Sequence, residues 1–304
     1  MLSFIRSGGL VAAVSIVSAA PAWADPFSFS TGDVTSQIAV ASRPDGAGKT
    51  EREAADDFLL AQSTTLTGAS FTGLLVGATG APVSLGGIVV EIYRVFPSDS
   101  DVGRTSGAPT FSTAQVPTRV NSPSDVAFDS RSSTAPGDLS FSQITLAGSF
   151  TAANSVLNGI NPKPGQTTGG EGAVTGVEVR FDITFTHPFD LPADHYFFVP
   201  QVQVANGEFY WLSGTRPLVA PGTPFLPDLQ SWVRSDALDP DWLRVGTDIV
   251  GGTPAPTFNQ AFTLTGTVAA VPEPESWALM LAGLAALAGA ARRARRRIEP
   301  PGAA

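Results

Sequence analysis

The stretch Gly176–Phe189 reads GVEVRFDITFTHPF. Val177, Val179, Phe181, Ile183 and Phe185 fall on one face, and Glu178, Arg180, Asp182, Thr184 and Thr186 on the other. Alternation with period two, bounded by Gly176 and Pro188, specifies a half-buried β-strand. A strand with one apolar face must bury that face against a second layer, so neighbouring segments should be strands as well.

Moving outward, Phe262, Leu264 and Gly266 alternate with Thr263, Thr265 and Thr267 in a second clean strand. GIVVEIYRVF (Gly87–Phe96) is β-branched and aromatic. HYFFVPQVQVA (His195–Ala205) contains Pro200, which points to a bulge or an edge. EFYWLSG follows Asn206-Gly207, a hairpin signal. Asp57–Leu60, Leu66–Leu74 and Leu139–Gly148 complete the strand candidates. Thr151–Ile160 and Pro227–Asp236 read as one- or two-turn helices, the latter opening on its proline. Pro97–Asp125 and Asn158–Gly172 are long polar loops, and strand patterns resume on both sides of each. The expected fold is all-β: one domain over residues 30–268, an antiparallel β-sandwich, jelly-roll-like, with one or two short helices.

Residues 25–270 hold 12 Lys and Arg against 24 Asp and Glu, a net charge of −12. Such an acidic body argues against nucleic acid and anionic membrane surfaces as partners. It suits solubility outside the cell, or cation binding. The chain has no cysteine, which excludes thiol nucleophiles, redox pairs and zinc–thiolate sites. A body of this length buries enough apolar surface without disulfides.

Catalytic patterns are missing. The nucleophile elbow, the phosphate loop and the dinucleotide fingerprint do not occur. The two histidines, His187 and His195, come with no third ligand in view. Asp56-Asp57 is an acid pair only on paper, because adjacent strand residues point to opposite faces. Two acidic loops offer hard oxygen ligands for a possible Ca²⁺: Asp99 and Asp101 in one, Asp236, Asp239 and Asp241 in the other. Neither matches an EF-hand, and solvated loops are the simpler reading. Tyr210, Trp211 and Trp242 could stack on sugar rings or could fill the core. No other cofactor is suggested.

The two ends are of another character. Met1–Ala24 has one positive charge, Arg6, an apolar core from Leu10 to Ala20, and Ala22-Trp23-Ala24 at its close. That order is the layout of a signal peptide cut by signal peptidase after Ala24; a buried N-terminal helix is the alternative. At the other end, Val271–Arg297 reads VPEPESWALMLAGLAALAGAARRARRR. Its prolines suggest an extended strip from Val271 to Glu275, with a helix from about Ser276. The 15 residues Trp277–Ala291 are all apolar or glycine. They would reach roughly 22 Å as a helix, short of a ~30 Å hydrocarbon core. Arg292, Arg293, Arg295, Arg296 and Arg297 are costly to carry across a bilayer and should stay in the cytoplasm. A transmembrane helix over about 276–291 with snorkelling arginines is therefore expected.

Pro272-Glu273-Pro274, then Ser276-Trp277-Ala278-Leu279, an apolar helix and an arginine cluster resemble the PEP-CTERM sorting signal, over residues 271–297. The resemblance implies a Gram-negative bacterium that makes extracellular polysaccharide, and an exosortase, an integral membrane enzyme that cuts the tail. The protein would be anchored transiently in the inner membrane, then move to the cell surface or matrix. An uncut C-terminal anchor is the alternative. The body would then be a non-enzymatic structural or adhesive component of a biofilm or exopolysaccharide. A polysaccharide- or calcium-binding module is the second reading and a polysaccharide hydrolase the third.

Overall fold

A computed structural model describes residues 24–46, 48–78, 83–103, 120–160, 166–216, 229–238, 240–269 and 274–298, with side chains in the last segment described for 280–293. Asp25–Ala269 forms one compact unit, and the C-terminal helix belongs to another.

In chain order the strands of the body are β1 (Pro26–Ser30), β2 (Val34–Ala41), β3 (Arg52–Leu60), β4 (Thr64–Gly77), β5 (Ser84–Arg94), β6 (Asp129–Ser132) and β7 (Leu139–Ala152). Then come β8 (Asn154–Val156), β9 (Val174–Leu191), β10 (Asp194–Ala205), β11 (Gly207–Gly214), β12 (Trp232–Ser235), β13 (Leu243–Arg244) and β14 (Phe262–Val268). The C-terminal helix α1 spans Pro274–Ile298.

The strand quoted at the outset is the middle of β9, and its alternation is realised. Val179, Phe181, Ile183 and Phe185 are buried in the main core. β9 pairs along its length with β4, from Thr64↔Leu191 to Leu75↔Val177, and on its other side with β7. The free edge of β4 is shared: β14 takes its first half and β11 its second. β1 then extends β14, and β2 and β8 extend β11. The second sheet runs β13-β12-β3-β10-β5-β6. Between the sheets lies an aromatic core. Phe71 meets Phe181 at 5.3 Å and Phe209 at 5.7 Å, and Phe198 stacks on Phe262 at 5.1 Å.

Several features differ from the sequence reading. The two segments read as helices carry strands where they are described: Thr151–Ile160 contains the end of β7 and all of β8, and Pro227–Asp236 contains β12, while Pro227 and Asp228 lie outside the described residues. Only a 3₁₀ turn, Asp236–Leu238, and a single π turn, Val245–Val250, interrupt the described strands of the body. Both misread segments find ladder partners that local propensity cannot see: β8 lies on β2 and β12 on β3. The β2–β8 pair is parallel, in a sandwich otherwise antiparallel among the described strands. Asn206 takes the left-handed conformation expected of an Asn-Gly turn, at φ 57°. However, β10 and β11 belong to different sheets, so this turn is a corner between layers rather than a hairpin.

Pro200 was expected at an edge or a bulge, yet β10 is central in its sheet. The β3 ladder stops at Phe198↔Asp56, before Pro200 is reached. The Pro200 carbonyl, which faces the vacated side, accepts a 2.6 Å bond from Ser42 Oγ. A strand residue points its nitrogen and oxygen to the same side, so the missing N–H costs no bond to β5.

Candidate functional site

Three parts of the molecule carry candidate function: the C-terminal helix, the outer groove of the first sheet, and the polar groups on the outer face of the second.

Helix α1 begins at Pro274, two residues earlier than the prolines suggested. Proline is compatible with the first helical turn, where its absent N–H would have no partner anyway. The helix runs on through the arginines. Met280, Leu281, Leu284 and Leu287 are exposed on it, as are Arg292 and Arg293. Cations in the last turns suit the negative end of the helix dipole. Among the described residues no helix is long and apolar enough to cross a membrane. The expected span over 276–291 is thus not displayed, which is consistent with a stretch only 15 residues long and rich in alanine and glycine. Ala22, Pro272 and Glu273 lie outside the described residues, as do the side chains of Pro274, Arg295, Arg296 and Arg297.

The aromatic sugar-stacking candidates go inward. Trp211 is fully buried against Phe198 and Phe262 and donates its indole N–H to the Ala261 carbonyl at 2.9 Å. Trp242 is 1% exposed; its N–H reaches the Ser124 carbonyl at 3.1 Å and its ring meets Tyr93 edge-on at 5.4 Å. Tyr210 is buried with Leu74 and Leu212. None of the three offers a ring face to solvent. They are core residues: Tyr210 and Trp211 sit on β11 and Trp242 just before β13, each packed into a buried cluster.

The acidic candidates are not brought together either. Asp99 directs both carboxylate oxygens at Arg94, whose guanidinium holds the carboxyl below its ordinary range. Asp101 accepts the Gly103 amide at 3.0 Å. Asp236 sits in the 3₁₀ turn and Asp241 is buried, while Asp239 lies outside the described residues. Among the described residues no three His, Cys, Asp or Glu side chains converge as a metal site.

Asp56 and Asp57 face opposite sides of β3, as their adjacency requires. Asp56 accepts the Gln260 amide at 2.6 Å on the core side. Asp57 accepts the Leu229 amide at 3.0 Å and lies 2.6 Å from His195 Nε2. His187, by contrast, is exposed near Asp138.

A groove of about 490 Å³ lies on the outer face of the first sheet. Its lining mixes polar residues, Ser30, Asp33, Ser70, Thr72, Arg180 and Thr263, with apolar ones, among them Val34, Leu146 and Phe262. The far ends of β7 and β9 fold over this face, so that Phe150 and Val174 pack with Ala39 and Leu74. Arg180 forks onto Asp182 at 2.9 and 3.1 Å, so the groove offers four hydroxyl side chains, one internally paired cation and the Asp33 carboxylate beside apolar surface.

Nothing in the sequence marks Glu91 as a strongly perturbed carboxyl. Glu91 is the single acid in the GIVVEIYRVF strand. Strand register sets it, with Tyr93, on the outer face of the second sheet beside Glu53 of β3 and Arg234 of β12. Arg234 forks onto Glu53 and donates to Tyr93 Oη at 2.8 Å. Tyr93 Oη lies 2.8 Å from Glu53 and 3.1 Å from Glu91. Burial, then the charge of Glu53, pushes the Glu91 carboxyl up to about 8. Glu51 is raised for the same two reasons. The only sequence signal would have been a lone carboxylate at an apolar strand position, and the partners beyond its own strand come from two others, β3 and β12.

No curated protein and no solved structure matches the chain. Residues 270–297 match the PEP-CTERM protein-sorting motif. With a Pro-Glu-Pro entry, a helix carrying exposed leucines and an arginine-rich end in that order, the C-terminal segment is a PEP-CTERM sorting signal, which implies an exported, membrane-associated or cell-surface substrate of an exosortase.

Proposed function

We propose that the chain is a non-enzymatic structural or adhesive protein of the cell surface or extracellular matrix. A signal peptidase would cut it after Ala24, and its tail would hold it at the inner membrane until an exosortase removes that tail. One observation carries this reading: the body closes on itself between the two expected cuts. β1 pairs with β14, from Pro26↔Thr267 to Ser30↔Thr263. The Val268 amide donates to the Asp25 carbonyl and the Ala269 amide to the Ser63 carbonyl, each at 2.8 Å. The sorting motif begins at the next residue, 270. Cutting outside both points removes no ladder bond of the sandwich.

The outer groove of the first sheet supports a second reading, a module that binds an exopolysaccharide chain. Hydroxyls, a paired cation, one carboxylate and apolar side chains such as Leu146 suit a neutral sugar better than an anionic ligand.

Fractionation in a host with and without an exosortase tests the first reading. A shortened body outside the inner membrane only when the enzyme is present supports it. The same full-length product in both hosts overturns it. Glycan arrays on the cut product test the second reading, with Arg180→Ala as the variant that should weaken any binding.

A further inference from the structure

We propose that Glu53, Glu91, Tyr93 and Arg234 form a proton-held latch, which fastens β12 and the Ser122–Asp125 loop to the second sheet and releases them as the surroundings turn alkaline. Tyr93 Oη accepts from Arg234 Nη2 at 2.8 Å and lies within hydrogen-bond distance of Glu53 at 2.8 Å and of Glu91 at 3.1 Å. A phenol has one proton and satisfies one carboxylate with it. The second contact is a hydrogen bond only if a glutamate carries a proton of its own.

Charge identifies which glutamate. Arg234 is the guanidinium at the site, and it forks onto Glu53, which is 3% exposed. Glu91 has no ion pair among the described residues. The groups facing it from the packed elements are Glu51 and Glu53 from β3 and its approach, Tyr93 on its own strand, and Ser130 opposite on β6. β10 contributes Val199 opposite Glu91, and Gln201, whose amide donates to Glu51 at 3.0 Å. β12 contributes Arg234, and the turn after it Asp236, which bears on Glu51. Three carboxyls around one cation, Glu53 buried and Glu51 and Glu91 half-buried beside it, hold a proton at neutral pH.

The proton has structural work nearby. Arg234 Nη1 donates to the Asp125 carbonyl at 3.0 Å, and its guanidinium lies 4.7 Å over the Trp242 ring. Trp242 in turn donates to the Ser124 carbonyl at 3.1 Å. Loss of the Glu91 proton places a second negative charge beside Glu53, with no further cation paired to either among the described residues. Water must then enter, and the Arg234–Asp125–Trp242 contacts loosen together.

The direction of the pH effect follows. The folded-state value of Glu91, about 8, lies above its ordinary 4.5. Its stabilising contribution is complete below about 4.5, falls as pH rises, and is gone once pH passes about 8. Within that window the unfolding constant should rise about tenfold per pH unit on account of Glu91. Glu51 and Glu178 are raised too and add a background of the same sign.

The test compares the full chain with Glu91→Gln, which keeps the shape and a donor but has no proton to lose. Thermal unfolding and tryptophan emission are followed from mildly acidic to alkaline pH. The wild type should lose stability steeply and shift its emission to the red, whereas Glu91→Gln should show a much flatter profile. Equal pH profiles in the two proteins would overturn the latch. If the variant does not fold, infrared spectroscopy of the wild type decides. A carboxylic-acid carbonyl band that persists at neutral pH and vanishes above about 8 supports the proposal, and no such band overturns it.

Discussion

Trp242 shows how far a single residue can be read. Near Asp241 and Arg244 in sequence, it could either stack on a sugar at the surface or fill the core. In the fold its indole N–H is satisfied by Ser124 and its ring is closed in by Tyr93 and the Arg234 guanidinium. Such a side chain stabilises the body instead of meeting a ligand. Trp242→Ala should therefore cost about 3–5 kcal/mol, read as a lower denaturation midpoint, and should leave any glycan binding by the folded fraction unchanged. Loss of binding without loss of stability would restore the surface role. Glu91 is the converse case. Residue type and neighbours give no hint of it, because its environment is assembled by register across β3, β5 and β12.

At the scale of elements, period-two alternation was reliable where one face met the core, as in β9 and β14. It failed for β8 and β12, which are three and four residues long and are held by partners rather than by pattern. The prolines were informative but not decisive. Pro200 stays in a central strand because the neighbouring ladder has already ended, and Pro274 opens a helix. Glycine has a comparable role in β4, near the point where its free edge passes from β14 to β11. A Cβ on Gly73 would lie 2.3 Å from both the Phe209 ring and the Tyr210 carbonyl. Neither a core phenylalanine nor a paired strand moves freely, so Gly73→Ala should destabilise the body by about 1–3 kcal/mol. Calorimetry checks this, and a melting temperature equal to wild type would show that β11 can shift.

For the whole molecule, the fold class and the address on the tail were both legible from sequence, for different reasons. The sandwich follows from repeated alternation, and the sorting signal from the linear order of a short motif, an apolar run and fixed charge. The interior of the candidate sites was not legible, since a −12 body with carboxylates on many strands does not disclose which of them become neighbours. The two scales meet at the boundary residues: the sandwich is complete from Asp25 to Ala269, and the motif starts at 270. Mass spectrometry of the protein recovered from the surface of exosortase-bearing cells tests that coincidence most directly. The expected product begins at Asp25 and ends after Ala269 but before the arginines. Recovery of the chain with Met1 and the arginine cluster both still attached would contradict the account.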